Sequence, residues 1–194
     1  MNFEYPLTHY VLRKFSMPIA KLLVNTNVSA NSVSWFSFLL GLISCYMIIS
    51  GRPYISVIFL FLSLVFDCVD GDLSRIRYKI TQTGYYLDGV LDRIVDSLLI
   101  ISVIFYYPDL LFLGALLIFV TMLTAYIKRM AESIGLKCNV SIVGRDLFLA
   151  SLITLILFEN LINGLIFYGF IILIILSSIT AAHRFIYTYN KSKV

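Results

Sequence analysis

Residues 53–106 read PYISVIFLFLSLVFDCVDGDLSRIRYKITQTGYYLDGVLDRIVDSLLIISVIFY. Two apolar runs, at about 53–76 and 85–106, enclose Asp67, Asp70, Asp72, Asp88, Asp92 and Asp96, six of the chain's eleven acidic residues. Each run is long enough to cross the hydrocarbon core of a bilayer as a helix. A carboxylate inside such a span costs on the order of 2–3 kcal/mol and needs a partner or a wet cavity. Several together also repel one another. A divalent cation answers both problems. Asp67 and Asp70, three residues apart, share a helical face at the end of the first run. Asp88 and Asp92, four apart, share one at the start of the second. A short loop returns the chain, so the two faces can oppose each other. All-oxygen ligation of this kind suits Mg²⁺ or Mn²⁺, with Ca²⁺ as an alternative occupant.

The rest of the chain extends the same pattern. Of its 194 residues, 60% are hydrophobic and 13% charged, about half the charged share of a soluble domain. The bilayer is therefore the expected solvent. Six spans are predicted, at about 30–50, 53–76, 85–106, 109–128, 146–161 and 162–184. Turn chemistry separates them at Gly51-Arg52-Pro53, at Tyr107-Pro108-Asp109 and around Glu159, Asn160 and Asn163. The expected fold is all-α and integral to the membrane. It divides into an amphipathic segment over 1–28 and a six-helix catalytic domain over 29–194.

Basic residues give the orientation. Arg13, Lys14 and Lys21, then Arg75, Arg77 and Lys79, then Lys128, Arg129, Lys137 and Arg145, then Arg184, Lys191 and Lys193 all fall on one face. Arg52 falls on the other, and Arg93 lies inside the third span. The positive-inside rule places the basic face, both termini and the aspartates in the cytoplasm of a multi-pass cell-membrane protein. Residues 5–24 carry Leu7, Val11, Leu12, Phe15, Ile19, Leu22 and Leu23 at helical spacing, opposite Arg13, Lys14 and Lys21. Such a basic amphipathic helix lies in the headgroup plane or packs on a partner. Residues 27–32, Asn-Val-Ser-Ala-Asn-Ser, supply N-cap candidates for the first span. No secretory leader is expected ahead of them. The net charge of +4 is spent on topology, so no nucleic acid is expected.

The pattern Asp67-x2-Asp70-Gly71-x2-Ser74-Arg75-x8-Gly84-x3-Asp88-x3-Asp92 resembles the signature of the CDP-alcohol phosphotransferase family. It matches at seven of eight fixed positions, Ser74 replacing the usual alanine. Ser29-Ala30-Asn31-x-Val33-Ser34 is similar to a family segment that opens the first span, so the likeness covers most of the chain. The resemblance implies a metal-dependent transferase, with Asp67, Asp70, Asp88 and Asp92 around two divalent ions. Asp92 would also be the general base on the acceptor hydroxyl. Asp70, Gly71, Ser74, Arg75 and Gly84 would surround the CDP moiety. A CDP-activated donor (CDP-diacylglycerol, CDP-archaeol or CDP-inositol) would pass its phosphate-linked alcohol to a small polar or phosphorylated acceptor, releasing CMP in phospholipid or inositol-phosphate biosynthesis. A homodimer is implied by resemblance alone. Asp92-Arg93-x-x-Asp96 is similar to the inositol-phosphate-using branch.

Some residues stay outside this core. Arg129, Lys137, Arg145 and Arg184 are candidate acceptor-binding cations, set against a role in topology alone. Asp72 is expected to face solvent or serve structure. Asp96 is expected to pair with Arg93 or to orient Asp92. His9 and His183 lack metal-ligand spacing and are expected at the interface. Cys45, Cys68 and Cys138 form no CxxC pair and are expected as free thiols. No Gly-rich phosphate loop, dinucleotide fingerprint or serine-nucleophile motif occurs. A cation transporter is the competing function, because intramembrane carboxylates suit it too. It would need polar groups continuing to the far face, and spans one, four and five are almost wholly apolar.

Overall fold

The computed structural model describes residues 11–79, 81–138 and 140–192, and every regular element among them is helical. In order these are α1 (Arg13–Leu23), α2 (Ala30–Ile49), α3 (Pro53–Ile76), α4 (Gln82–Tyr106), a 3₁₀ turn (Pro108–Leu110), α5 (Leu111–Ser133), α6 (Arg145–Phe158) and α7 (Leu165–Lys191). Four helical stretches are long and apolar enough to cross a membrane: α2, α3, Pro108–Ser133 and α7. α4 has the length, but its aspartates and Arg93 lower its apolar character. α6 is only 14 residues long. The turn between α3 and α4 spans 77–81, shorter than expected, because α4 begins three residues earlier than its apolar run.

The chain forms two compact units that meet near Tyr106 and Tyr107 in sequence. In the first, α2 packs on both α3 and α4, and α1 packs on α3. Ser29 caps α2, its hydroxyl accepting from Ser32 N at 3.1 Å, as the cap candidates there led one to expect. Small residues let the apolar helices approach closely. Ser37 and Ser63 each donate to the other's carbonyl, at 2.8 and 2.9 Å. One helical segment away, Ser44 donates to the Ser56 carbonyl at 3.0 Å. Gly41 faces α4, and a Cβ there would stand 2.8 Å from Val95 Cγ1. Valine is stiff at χ1 and cannot step aside. Gly41→Leu is therefore expected to destabilise this unit by about 1–3 kcal/mol through overpacking. Thermal unfolding in detergent checks this, and an unchanged transition would mean the α2–α4 contact is looser than drawn.

α1 departs from its sequence pattern. Its buried stripe is Leu12, Ser16 and Ala20, turned onto α3, while Val11, Phe15 and Leu22 remain exposed. Leu7 and His9, at the start of the expected helix, lie outside the described residues. The α1–α2 connection is held from α3 by Arg77, which was expected only as a topology charge. Its guanidinium donates to the carbonyls of Leu23, Val24, Thr26 and Val28. A cation on the last carbonyls of a helix satisfies orphan acceptors and suits the helix dipole.

In the second unit α7 packs on α5 and α6. The turn before α7 runs through Gly164 at φ +83°, a left-handed conformation natural to glycine. Glu159, expected as a turn marker, accepts from Gly164 N at 2.9 Å and Ile166 N at 2.6 Å. It thereby places negative charge at the N-terminus of α7.

Candidate metal centre

Helical spacing and the pairing of α3 and α4 with α2 together build the site. Asp67 and Asp70 project from one face of α3, and Asp88 from the first turns of α4. A carboxylate oxygen from each of the three lies within 4.8 Å of the others. Asp70 is buried, and Asp67 and Asp88 are half-buried. Three carboxylates so close are strongly repulsive without a cation. An all-oxygen donor set of this size fits Mg²⁺ or Mn²⁺. Asp92 is not a member of this group. It lies one turn further along α4 from Asp88, on the same face and half-buried.

The residues around the cluster divide by what they do. Ser34 of α2 donates to Asp70 Oδ2 at 2.5 Å, fixing the buried carboxylate from a neighbouring helix. Its place in the segment 29–34 was legible in sequence, but its bond to Asp70 was not. Outer partners of metal ligands are typically worth 10–100-fold in metal affinity. Ser34→Ala is accordingly expected to weaken Mn²⁺ binding by about tenfold. Titration of the purified protein checks this, and wild-type affinity would mean that Asp70 is oriented without it.

Ser74 donates to its own helix at Gly71 O, 2.9 Å away. Its hydroxyl is thus satisfied within α3, and the residue presents little more bulk than alanine. A Cβ at Gly71 would stand in ordinary contact with the Arg75 guanidinium, 3.6 Å from Nη2. Gly84 is tighter. A Cβ there would meet Thr81 Oγ1 at 3.1 Å and Asn31 Oδ1 at 3.2 Å. Glycine at 84 lets the start of α4 close on the start of α2.

Asp72 was expected to face solvent or to serve structure, and it is buried, at 2% exposed. It accepts from Ser16 Oγ at 2.7 Å and Arg75 Nη1 at 3.0 Å, with Arg13 Nε at 3.6 Å. A buried carboxylate needs such partners, and two come from α1. Asp96 is also buried, and Arg93 Nη2 lies 2.9 Å from its Oδ2.

The four candidate acceptor cations belong to the second unit. Arg184 is buried and donates to Val140 O at 2.8 Å and Thr124 O at 3.0 Å, holding the α5–α6 connection against its own helix. Arg129 lies 3.6 Å from Glu132. Lys137 is exposed on that connection. Arg145 is the first residue of α6, where a cation opposes the helix dipole.

The family model for CDP-alcohol phosphatidyltransferase matches residues 27–189. The chain belongs to this family. It is 30% identical over 188 residues to the archaetidylinositol phosphate synthase of Methanothermobacter thermautotrophicus, covering 94% of this chain and 93% of the relative. Its fold matches the phosphatidylinositol phosphate synthase of Mycobacterium tuberculosis with CDP-DAG bound, at TM-score 0.81 and 20% identity, over 91% of this chain and 94% of that one. The same enzyme in complex with manganese and citrate also matches at TM-score 0.81 and 20% identity, over 90% and 88% of the two chains. A CDP-alcohol phosphatidyltransferase is a transferase of CDP-activated alcohols and a membrane enzyme. The cation-transporter reading is set aside by this membership, and the carboxylate cluster becomes the place to look for phosphoryl-transfer chemistry.

Proposed function

We propose that the protein transfers the phosphate-linked alcohol of a CDP-activated lipid to the hydroxyl of an inositol phosphate, with release of CMP. The observation that carries this is the convergence of Asp67, Asp70 and Asp88 within 4.8 Å, inside the family pattern from Asp67 to Asp92. The archaetidylinositol phosphate synthase at 30% identity over most of both chains supports the inositol-phosphate branch. So does the Asp92-Arg93-x-x-Asp96 sequence.

Asp67, Asp70 and Asp88 would hold divalent cations, with Asp92 beside them. Bound there, such ions supply neutralisation of the pyrophosphate and polarisation of the phosphorus under attack. Asp92 takes the proton from the acceptor hydroxyl as it attacks. The phosphorus bearing the lipid alcohol forms a bond to the acceptor oxygen, its bond to the bridging oxygen breaks, and the electron pair leaves with CMP. Gly71, Ser74 and Gly84 are the residues proposed to surround the nucleotide, and Arg75 offers a fixed fork to phosphate oxygens. Arg129, Lys137, Arg145 and Arg184 remain the proposed acceptor cations, on the argument of charge. Among them Arg145 is favoured for its place at the very start of α6.

The proposed setting is a six-span protein of the cell membrane, α2 to α7 each crossing once. Both termini and the aspartates are cytoplasmic, and a homodimer is the proposed assembly. The distribution of basic residues supports this orientation. α1 would lie at the headgroups through Val11, Phe15 and Leu22.

The test is CMP release by purified protein in lipid or detergent. CDP-archaeol, CDP-diacylglycerol and CDP-inositol are paired with inositol phosphate, glycerol phosphate and serine, with and without Mg²⁺ or Mn²⁺. Metal-dependent release requiring inositol phosphate and a CDP-linked lipid supports the reading. Release with a different acceptor only would overturn the assigned branch.

A further inference from the structure

We propose that Asp72 is a positioning residue for the donor site, aiming Arg75 across Gly71, and that α1 holds Asp72 in place for this task. The inference rests on the reading that Arg75 meets the CDP moiety. Asp72 lies outside the family pattern, yet it is the most deeply buried charged residue among the described residues, at 2% exposure. Both its oxygens are engaged. Oδ2 accepts from Ser16 Oγ at 2.7 Å. Oδ1 takes Arg75 Nη1 at 3.0 Å and Arg13 Nε at 3.6 Å.

The Arg75 side chain is 57% exposed, so little besides Asp72 fixes it. The bond to Asp72 sends it back along α3, so that Nη2 and Nη1 stand 3.6 and 3.8 Å from where a Gly71 Cβ would be. Residues 67, 71, 74 and 75 share one side of the helix, so the guanidinium is turned toward the turn that carries Asp67 and Asp70. An i,i+3 ion pair on an exposed helix surface contributes little. Here the carboxylate is buried and fixed by a second helix, so the pair has a defined geometry rather than a loose one. A positioned fork loses less freedom on gripping phosphate oxygens than a free one.

The experiment is a double-mutant cycle read by CMP affinity in the presence of Mg²⁺, so that no turnover is needed. Asp72→Asn is expected to weaken CMP binding by about tenfold, and Arg75→Ala by at least as much. In the Arg75→Ala background Asp72→Asn is expected to add nothing, because its effect runs through the missing guanidinium. In turnover the same variant should raise the KM for the CDP-linked donor while leaving kcat and the acceptor KM close to wild type. Unchanged CMP affinity in Asp72→Asn overturns the proposal. So does a loss that multiplies with that of Arg75→Ala, which would mark Asp72 as a support for the fold alone. If Asp72→Asn does not accumulate as folded protein, Ser16→Ala takes its place in the cycle with the same reading. Failure of the wild-type protein to bind CMP at all would instead count against the proposed function.

Discussion

Asp92→Asn is expected to slow CMP release by at least about a hundredfold and up to about ten-thousandfold, the range that a positioned general base contributes. Asparagine keeps the shape of the side chain and removes its ability to take a proton. The acceptor hydroxyl must then lose its proton to water or not at all before the new bond to phosphorus is complete. Asp92 is not one of the three carboxylates that converge within 4.8 Å, so metal affinity should change much less than turnover. That separation is the informative part. A paired measurement of CMP release and Mn²⁺ titration on the same preparation reads both. If turnover survives, the base is another group and the carried-over role of Asp92 is wrong. If turnover and metal affinity fall together, Asp92 acts as a ligand first.

Asp70→Asn is expected to give the opposite split, losing metal affinity by about a hundredfold or more, with turnover lost as a consequence. Asp70 is the buried member of the cluster and the one fixed by Ser34 from α2. An amide there offers the cation one neutral oxygen where a carboxylate offered charge. The two remaining carboxylates, Asp67 and Asp88, still face each other but come from different helices. Mn²⁺ titration decides the matter directly, and raising the Mn²⁺ concentration should recover part of the lost CMP release. Wild-type affinity in this variant would show that ions do not bind at the cluster, and the site would have to be sought elsewhere along α3 and α4.

The contrast between Ser34 and Asp92 shows what kind of information a sequence carries. Asp92 could be named because four-residue spacing on a helix is local geometry: Asp88 and Asp92 must share a face wherever α4 lies. The same holds for Asp67 and Asp70, and for Ser29 as the cap of α2. Ser34 lies 36 residues from Asp70 in the chain, and a bond across that separation leaves no periodic trace. Asp72 was left between solvent and a structural role for the same reason. Its neighbours in sequence do not decide, and Ser16, 56 residues away, is what is brought against it. Arg77 counted as one more charge on the basic side, yet it holds four carbonyls of the α1–α2 connection.

What the amino-acid sequence determined by itself was the helical character, the family and the carboxylates on α3 and α4. Hydrophobic run length and helical spacing act within a few turns and need no partner to be read. Only the tertiary structure decided that Asp67, Asp70 and Asp88 converge, that Asp72 is buried against α1, and that Ser34 orients Asp70. Those outcomes depend on how α1 and α2 pack on α3 and how α2 packs on α4. Small residues such as Gly41 and the paired serines set that packing by how closely they let backbones approach, a quantity no single helix contains.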